Sequence, residues 1–326
     1  MKWGIIATGS IAGKFADTVS KMQREDEQII AVASRDKARA ESFAGKYCIP
    51  KNYGSYEEMM ADPEVEAVYI ATPNNLHFEN TKMCIDAGKH VLCEKPFTTC
   101  AQDACYLYDR AKEKNVFVME AFWIRFLPLY EKLLDIIRSE KYGRLRHARC
   151  DYGFIAKGDR RKRKFLSELG GGALLDIGIY NLGFLYMIMG GLPGSFTSQV
   201  RMNEFGTDEY SVIQMVFPGE RTAHSIQTIG MKIDRQAALY FDNATIYLPD
   251  FQAAFSMKVC PNEGDEYTVE CPPAVNGYEY EIREATNCIK GGMVHSRIFR
   301  PEDSIAVIGL MDEIRKAWGM KFSFEQ

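Results

Sequence analysis

The sequence is short of the features that mark nucleic-acid-binding, secreted and metal-binding proteins. Its 40 Lys and Arg residues are outnumbered by 44 Asp and Glu residues, so it lacks the basic surface that a phosphate backbone requires. The nine cysteines are scattered without CxxC spacing, which indicates reduced thiols rather than a disulfide framework or a zinc site. No His, Cys or acidic cluster has metal-ligand spacing, and we expect no metal.

The sequence also shows no signal-peptide pattern and no apolar run that approaches the ~20 residues of a membrane span. We therefore expect a soluble, cytoplasmic protein that binds neither nucleic acid nor membranes. With 326 residues, 46% of them apolar, the chain is long enough to bury two cores.

Short apolar runs alternate with helical patterns in the first third of the chain. Each run is apolar throughout, which is typical of a parallel sheet covered by helices on both faces. The pattern predicts strands at 3–7, 28–33, 67–71, 90–93 and 116–119, and helices at 11–22, after the second strand through 46, at 78–87 and at 101–114. We predict an α/β fold whose N-terminal part, residues 1–122, is a Rossmann dinucleotide-binding domain.

The pattern changes after residue 122. Helices are predicted over 128–139, near Gly172, and over 278–290 and 301–318. Between 196 and 272, segments of alternating polarity are separated by turn signals, which predicts an open, mostly antiparallel sheet. Residues 123–326 are thus expected to form an α+β domain for substrate binding and dimerisation.

One predicted strand, Tyr210 to Phe217, bears on assembly because both of its faces are apolar. One face is Ile213, Met215 and Phe217, yet the other still carries Tyr210, Val212 and Val216. A solvated face would be more polar. We expect this second face to pack on another subunit, giving a homodimer.

A cofactor site is indicated at the first turn from strand to helix, where a dinucleotide pyrophosphate meets helix N-terminal amides. The expected G-x-G-x-x-G/A pattern appears here with its first glycine replaced by Ala7, while the central Gly9 and the final small residue Ala12 remain. A merely tight turn is the alternative, but the order strand, turn, helix favours a cofactor loop. The predicted cofactor contacts in this loop are Ala7, Thr8, Gly9, Ser10 and Ile11.

The end of the second strand indicates which nicotinamide cofactor is bound. NAD-binding folds usually place an acidic residue here for the ribose 2′-hydroxyl, whereas this chain has Ser34 and Arg35. A hydroxyl and a guanidinium suit a 2′-phosphate, so we predict NADP, with NAD less favoured. Asp36 could meet the ribose instead, although a role as the cap of the next helix fits it better.

Polar residues also follow the third and fourth of the predicted strands. Thr72, Pro73, Asn74 and His77 follow one, and Lys95 closes the other. Such residues lie at the carboxyl edge of a parallel sheet, where ligands bind. A capped turn and a solvated lysine are the alternatives. In a nicotinamide crevice, however, nearby positive charge can tune Lys95 for proton handling.

These motifs together resemble the superfamily of glucose-fructose oxidoreductase, inositol dehydrogenase and MocA. Its Rossmann turn, Ala-Thr-Pro-Asn-x-x-His segment and Glu-Lys-Pro triplet occur at 7–12, 71–77 and 94–96. Residues 120–126 and 170–180 resemble the branch that contains dimeric dihydrodiol dehydrogenases and NADP-dependent D-xylose dehydrogenases. The resemblance covers essentially the whole chain. It implies a Rossmann domain followed by a domain whose open sheet forms a dimer contact.

The resemblance also implies that Lys95, Asp176 and Tyr180 are the catalytic group. Asp176 and Tyr180 share a face if their segment is helical. Most of the superfamily has histidine where this chain has Tyr180, so the proposed base becomes a phenol. A free tyrosine has a pKa near ~10, and an ammonium nearby lowers it, which is the role expected of Lys95. The alternatives are a core aromatic for Tyr180 and a helix-start carboxylate, satisfied by backbone amides, for Asp176.

Other residues have weaker assignments. The resemblance places Trp123 and Arg125 near nicotinamide and phosphate, with Trp123 also at the substrate. Glu94 is interpreted as a structural carboxylate beside the cofactor. The basic run 157–164 favours a solvated loop, but Arg163 in it could contact an anionic substrate group.

The leading hypothesis is an NADP-dependent dehydrogenase of a small sugar, polyol or cyclic diol. The alternative is a non-catalytic cofactor or sugar sensor on the same fold.

Overall fold

The computed structural model describes residues 1–22, 27–158 and 163–325. The chain divides into two compact units, one formed by Met1–Trp123 with Ala274–Ile305 and one by Ile124–Pro273 with Ala306–Gln326. The expected linear division at residue 122 did not anticipate that residues 274–305 belong to the first unit. Hydrogen bonds within that unit explain their place, because Asn276 bonds Thr18 of the first helix at 2.9 Å.

The first unit is built on a six-stranded parallel sheet. Its strands are β1 (Lys2–Ile6), β2 (Gln28–Ala33), β3 (Lys51–Tyr53), β4 (Ala67–Ile70), β5 (His90–Glu94) and β6 (Val118–Ala121). The order β3-β2-β1-β4-β5-β6 reverses between β1 and β4, the point at which open parallel sheets bind ligands. The predicted Rossmann domain is confirmed. The sequence did not predict β3, which has three half-buried residues and no apolar run.

Helices alternate with these strands, and further helices follow β6 along the chain. In chain order they are α1 (Ser10–Lys21), α2 (Lys37–Tyr47), α3 (Tyr56–Met60), α4 (His77–Asp86), α5 (Ala101–Lys114), α6 (Pro128–Arg138), α7 (Ile179–Met189), α8 (Tyr278–Lys290) and α9 (Pro301–Ala317). A short 3₁₀ turn, Asn74–Leu76, precedes α4. The short helix α3 was not predicted from the sequence.

The second unit is built on an eight-stranded mixed sheet. Its strands are β7 (Leu145–Ile155), β8 (Ser195–Met202), β9 (Asp208–Phe217), β10 (Arg221–Thr228), β11 (Gly230–Phe241), β12 (Ala244–Leu248), β13 (Ser256–Pro261) and β14 (Tyr267–Glu270). The order is β14-β13-β12-β11-β7-β10-β9-β8. All neighbours are antiparallel except β7 and β10, so the predicted open, mostly antiparallel sheet is confirmed.

Strand β7 lies near the middle of this sheet but was not predicted from the sequence. Charged residues on its second face, such as Arg149 and Asp151, interrupt the apolar run that identified the other buried strands. The face toward α7 is apolar, since Ala148 and Cys150 are buried there, and the Cys150 thiol lies 3.6 Å from the Asn181 carbonyl oxygen of α7.

Strand β9 shows how differently the two faces of the sheet are covered. Ile213, Met215 and Phe217 are buried on the face that carries the core. On the opposite face Val216 is 48% exposed and Val212 is partly exposed. Within a single chain the second face is therefore open, although it is apolar in part.

One expectation needs correction, because Ser167–Met189 is long and apolar enough by composition to span a membrane. In the structure 83% of its most apolar window is buried, and Asn181 within it bonds the Ile226 carbonyl of β10 at 3.0 Å. The segment therefore behaves as the core helix of the second unit. Leucines and isoleucines cover both the sheet side and the opposite side of this helix, which is why it resembles a membrane span in composition.

Candidate active site

The dinucleotide turn has an unusual backbone at Ala7, the position where the expected pattern has its first glycine. Ala7 has φ +80°, a conformation that glycine adopts freely and alanine only at a cost. Its amide bonds the Ala33 carbonyl of β2 at 3.0 Å, which holds it there. No side chain caps α1 after Gly9 in the described structure. The first amides of α1 therefore point to an open site suited to a pyrophosphate.

A cavity of about 610 Å³ lies beside this turn, between α1 and α2. Thr8, Gly9 and Ser10 form one end of it. Three cations and one carboxylate also line it: Lys14, Arg39, Lys46 and Asp17. The excess of positive charge suits phosphate groups. Sequence reasoning missed these three cations because helix-surface lysines and arginines carry no motif of their own.

The loop after β2 is held by its own polar groups. The Ser34 hydroxyl accepts from the Asp36 amide at 3.3 Å. Asp36 accepts from the amides of Ala38 at 3.0 Å and Arg39 at 3.3 Å, so its predicted role as the cap of α2 is confirmed. Arg35 is exposed and hydrogen-bonds Tyr56. Arg39 pairs with Asp36 at 3.5 Å and also lines the cavity beside the dinucleotide turn.

His77 links the loops that follow β4 and β5. It is fully buried, and its ring nitrogens lie 2.7 Å from the Pro96 carbonyl oxygen and 2.9 Å from that of Thr72. Thr72 also accepts from the Asn80 amide group at 3.1 Å. These contacts fix the predicted ligand loop, including Pro73 and Asn74, against the loop that carries Lys95.

Two buried carboxyl groups flank the Lys95 segment. Glu94 accepts from the Tyr69 hydroxyl, and the Lys95 amide donates to it at 3.3 Å. Glu120 of β6 accepts from the Phe97 amide at 3.0 Å and from Ser304. Burial raises the pKa of Glu94, and it raises the pKa of Glu120 to about 7, while the Lys95 charge opposes both shifts. Glu94 is engaged by Tyr69 and the Lys95 amide, and the sequence did not single out Glu120.

Trp123, predicted near nicotinamide, is buried in a stack of rings. Its ring lies 4.5 Å from that of Tyr278, nearly parallel to it. The ammonium of Lys14 lies 5.9 Å from the ring centroid of Tyr278. Tyr278 was not predicted because it follows Trp123 by more than 150 residues. Arg125, the other predicted residue here, pairs with Glu131 of α6 at 2.9 Å.

In the second unit the predicted catalytic residues lie on one helix. Leu174–Gly178 forms a π-helical turn that continues into α7, an irregularity often found at functional sites. Asp176 lies in this turn and pairs with Lys164. Tyr180 is 5% exposed, and its ring centroid is 6.4 Å from that of Tyr152 on β7. The predicted helix is confirmed, whereas its π turn was not anticipated.

The glycine run before this helix is explained by a buried carboxylate. Gly172 has φ +113°, and a Cβ at this position would overlap Oδ1 of Asp208. The other oxygen of Asp208 accepts from the Leu174 amide at 2.8 Å. Burial raises the pKa of Asp208 to about 7. The role considered for Asp176, a carboxylate that accepts from helix-start amides, is filled here by Asp208. Asp208 was not identified from the sequence.

The structure describes Arg163 but only part of the basic run 157–164. Arg163 is exposed, while residues 159–162 of the run lie outside the described residues. No group of three His, Cys, Asp or Glu side chains that could hold a metal was found among the residues the structure describes.

Comparison with known proteins follows the same division of the chain. A profile described as "Oxidoreductase family, NAD-binding Rossmann fold" matches residues 1–122, and one described as "GFO/IDH/MocA C-terminal domain" matches residues 130–247. A trans-1,2-dihydrobenzene-1,2-diol dehydrogenase of Xenopus tropicalis is 34% identical over 98% of this chain and 99% of its own length.

Solved structures share the architecture at lower identity. A 3-ketoreductase of Actinomadura kijaniata, in complex with NADP and TDP-benzene, has a TM-score of 0.88 at 23% identity, covering 97% of each chain. A levoglucosan dehydrogenase in complex with NADH and levoglucosan has a TM-score of 0.86 at 18% identity, covering 98% of this chain and 97% of its own. At these identities the likeness shows the fold alone.

The raised pKa of Asp208 predicts a specific pH dependence of stability. Its folded pKa is about 7 against ~3.9 in an unfolded chain, so the folded state holds the proton more tightly. This contribution to stability is full below pH ~4 and is lost as the pH rises toward 7. Asp208→Asn removes this titrating group, and with it the loss of stability as the pH rises. We expect the unfolding free energy of the variant to rise relative to wild type between pH 4 and 8, by more than ~1.4 kcal/mol, the value of one pKa unit.

Thermal or urea unfolding of both proteins across this pH range measures the effect. Asp265→Asn, at an exposed position in the β13–β14 turn, is the control and should follow wild type at each pH. Parallel curves for Asp208→Asn and wild type would show that Asp208 does not hold a proton in the folded protein.

Proposed function

The chain belongs to the GFO/IDH/MocA family of oxidoreductases, and we propose that it is an NADP-dependent dehydrogenase of a small sugar, polyol or cyclic diol. It is a dehydrogenase acting on CH–OH groups, as its full-length relatives are named dehydrogenases. When bound, a nicotinamide cofactor would supply the hydride acceptor or donor for the hydroxyl carbon. The observation that carries the proposal is the joint presence of a cation-lined dinucleotide turn and the Asp176–Tyr180 helix.

Tyr180 is proposed to take the hydroxyl proton during oxidation and to return it during reduction. Its side chain is 5% exposed, and its ring centroid lies 6.4 Å from that of Tyr152. A phenol with a pKa near ~10 needs a nearby cation to ionise at neutral pH, and we assign that role to Lys95. Asp176, paired with Lys164, would orient the substrate hydroxyls.

The preference for NADP rests on the residues around the end of β2. Ser34, Arg35 and Arg39 offer a hydroxyl and two guanidinium groups to a 2′-phosphate, and the Asp36 carboxylate is engaged by two helix amides. The 3-ketoreductase structure contains NADP, and the levoglucosan dehydrogenase structure contains NADH. The fold alone therefore does not determine the cofactor, and the preference is argued from the residues.

The sugar, polyol or diol class rests on the relatives' printed names. One is a dehydrogenase of a cyclic diol, and another was solved with levoglucosan. Oxidation of a hydroxyl carbon is common to both. A panel of aldoses, polyols and cyclic diols, followed by NADPH absorbance, tests the class. A protein that binds NADP and these compounds but turns over none of them would be the non-catalytic sensor instead.

We also propose a cytoplasmic homodimer. The open face of the second sheet carries Val212 and Val216 without cover in a single chain, and the partner would supply that cover. The nine cysteines are all free thiols, which suits a reducing compartment.

The cofactor prediction is that NADP binds at least ~10-fold more tightly than NAD, the effect of one charge-assisted contact of ~1.4 kcal/mol. Arg39→Met should reduce NADP affinity by a similar factor and narrow the difference between the cofactors. Fluorescence titration with both nucleotides measures this. Arg110→Met, which alters a surface arginine of α5 paired with Asp86, is the control. Equal or tighter NAD binding would mean that Asp36 meets the ribose.

The mechanism predicts coupled effects of Lys95 and Tyr180. Tyr180→Phe removes the proton acceptor and should lower kcat by ~10²–10⁴-fold. Lys95→Met should raise the apparent pKa of the oxidation rate and lower the rate at neutral pH, while NADP still binds. In the double variant the losses in log rate should not add, because the two groups act as a unit.

Steady-state pH profiles of the three variants and wild type test this coupling. Tyr106→Phe, at an exposed position on α5, is the control tyrosine and should retain the wild-type profile. Losses in log rate that add in the double variant would show that Lys95 acts only as a substrate-binding charge.

The dimer prediction is a two-chain species in sedimentation equilibrium at micromolar concentration. Val216→Lys puts a charge on the open sheet face and should shift the protein toward monomer. Leu192→Lys, at another exposed apolar side chain but outside the sheet, should leave the mass unchanged. A monomeric wild-type protein at micromolar concentration would contradict the homodimer.

A further inference from the structure

A cavity of about 520 Å³ lies in the second unit, beside the catalytic helix. Tyr152 and Phe154 of β7 and Ile233 of β11 line it. Tyr152 also neighbours both catalytic side chains of this unit. The ring centroid of Tyr152 is 6.4 Å from that of Tyr180. Burial raises the pKa of Tyr152, and the charge of Asp176 adds to this increase. Tyr152 thus lines the cavity and also neighbours the two side chains proposed to handle the reacting hydroxyl.

The charged groups of this cavity are mostly cations. Lys157, Lys232 and Arg235 line it, against one carboxylate, Asp234. Arg235 is already engaged, since it donates to Gln252 at 2.7 Å and pairs with Asp250. Lys157 and Lys232 are exposed and have no ion pair within 4.0 Å in the described part of the chain. The cavity thus holds two cations available to a ligand, in a protein whose formal net charge is −4.

A further cation beside the cavity, Lys164, is already in an ion pair. Lys164 lies 4.9 Å from the ring centroid of Phe154 but is paired with Asp176. Its charge therefore serves the catalytic carboxylate, and the charge offered to the cavity comes from Lys157 and Lys232. Lysine ammonium groups bind phosphate and carboxylate oxygens as point charges.

We propose that this cavity binds an anionic substituent, a carboxylate or a phosphate ester, on the sugar or diol substrate. Its volume lies in the range of small-molecule sites. The rings of Tyr152 and Phe154 offer apolar faces to the carbon skeleton, while Lys157 and Lys232 bind the anion. The proposal rests on the proposed dehydrogenase function and names the substrate class of the same site.

Matched substrates test the proposal. D-glucose, D-glucuronate and D-glucose 6-phosphate share a skeleton and differ in charge, and the last two distinguish a carboxylate from a phosphate. With saturating NADP, we expect kcat/KM for at least one anionic member to exceed that for glucose by ~10-fold or more, mainly through KM. This preference should fall as NaCl is added, because salt screens exposed charges.

Lysine variants localise the effect. Lys232→Met and Lys157→Met should each lower the anionic-to-neutral preference by about 3- to 10-fold, as expected for the loss of one partly exposed charge contact. Lys258→Met is the control, since Lys258 lies on β13 and pairs with Glu266. It should leave the preference unchanged.

Each outcome has a defined meaning. Equal kcat/KM for neutral and anionic members, or a preference that neither lysine variant reduces, overturns the anionic site and leaves the dehydrogenase function standing. If no member of this set or of the wider sugar and diol panel is oxidised, the proposed function fails. The cavity is then tested by calorimetric binding of glucuronate and glucose 6-phosphate to wild type and Lys232→Met, and the lack of lysine-dependent binding overturns it.

Discussion

The contact between the Asp208 carboxylate and the Leu174 amide fixes the start of the helix that carries Asp176 and Tyr180. A fully buried carboxylate is costly unless hydrogen bonds and a favourable dipole offset its desolvation. Here one oxygen accepts from a helix-start amide at 2.8 Å. The other oxygen has no hydrogen-bond partner among the residues described, and burial accordingly raises the pKa. Gly172 must lack a side chain for the carboxylate to fit.

The consequences of this contact extend along the chain in both directions. Gly172 donates to the Lys164 carbonyl at 2.8 Å, and the Lys164 side chain pairs with Asp176. Thr207, next to Asp208, donates to the Phe165 carbonyl at 2.7 Å. The π turn, its aspartate and the lysine that neutralises it are thus held by one buried group. In the first unit, His77 and Glu120 have a comparable role, since they fix the loops around Thr72 and Lys95.

The sequence predicted best those elements whose residue pattern depends only on the element itself. Strand β2 and helix α5 have the predicted bounds because the strand is apolar throughout and the helix has a regular buried stripe. Strand β7 was missed because its second face carries Arg149 and Asp151, and β3 because three residues are too few for a pattern. The positive φ of Ala7 likewise could not be predicted from the sequence and is seen only in the structure.

Site residues that depend on tertiary contacts could not be predicted in this way. Asp208 is 34 residues from Leu174, and Ser304 is 184 residues from Glu120, so no local spacing links them. Lys95 was singled out because it closes a predicted strand, whereas Asp176 and Tyr180 were identified only because residues 170–180 resemble a family motif. Their supports are buried polar groups whose partners lie elsewhere in the chain, and a single sequence carries no signal for those pairings.

The distribution of charge explains how an acidic protein can offer two cationic cavities. Lys14, Arg39 and Lys46 line the cavity at the dinucleotide turn, and Lys157 and Lys232 line the one beside Tyr152. Several of the protein's carboxyl groups do not oppose these charges. Burial raises the pKa of Glu120 and Asp208 to about 7, so near neutral pH each carries only part of a negative charge. Asp36 directs its charge to helix amides and Arg39. In each cavity the cationic side chains outnumber the single lining carboxylate, Asp17 in one and Asp234 in the other, although the net charge of the whole chain is negative.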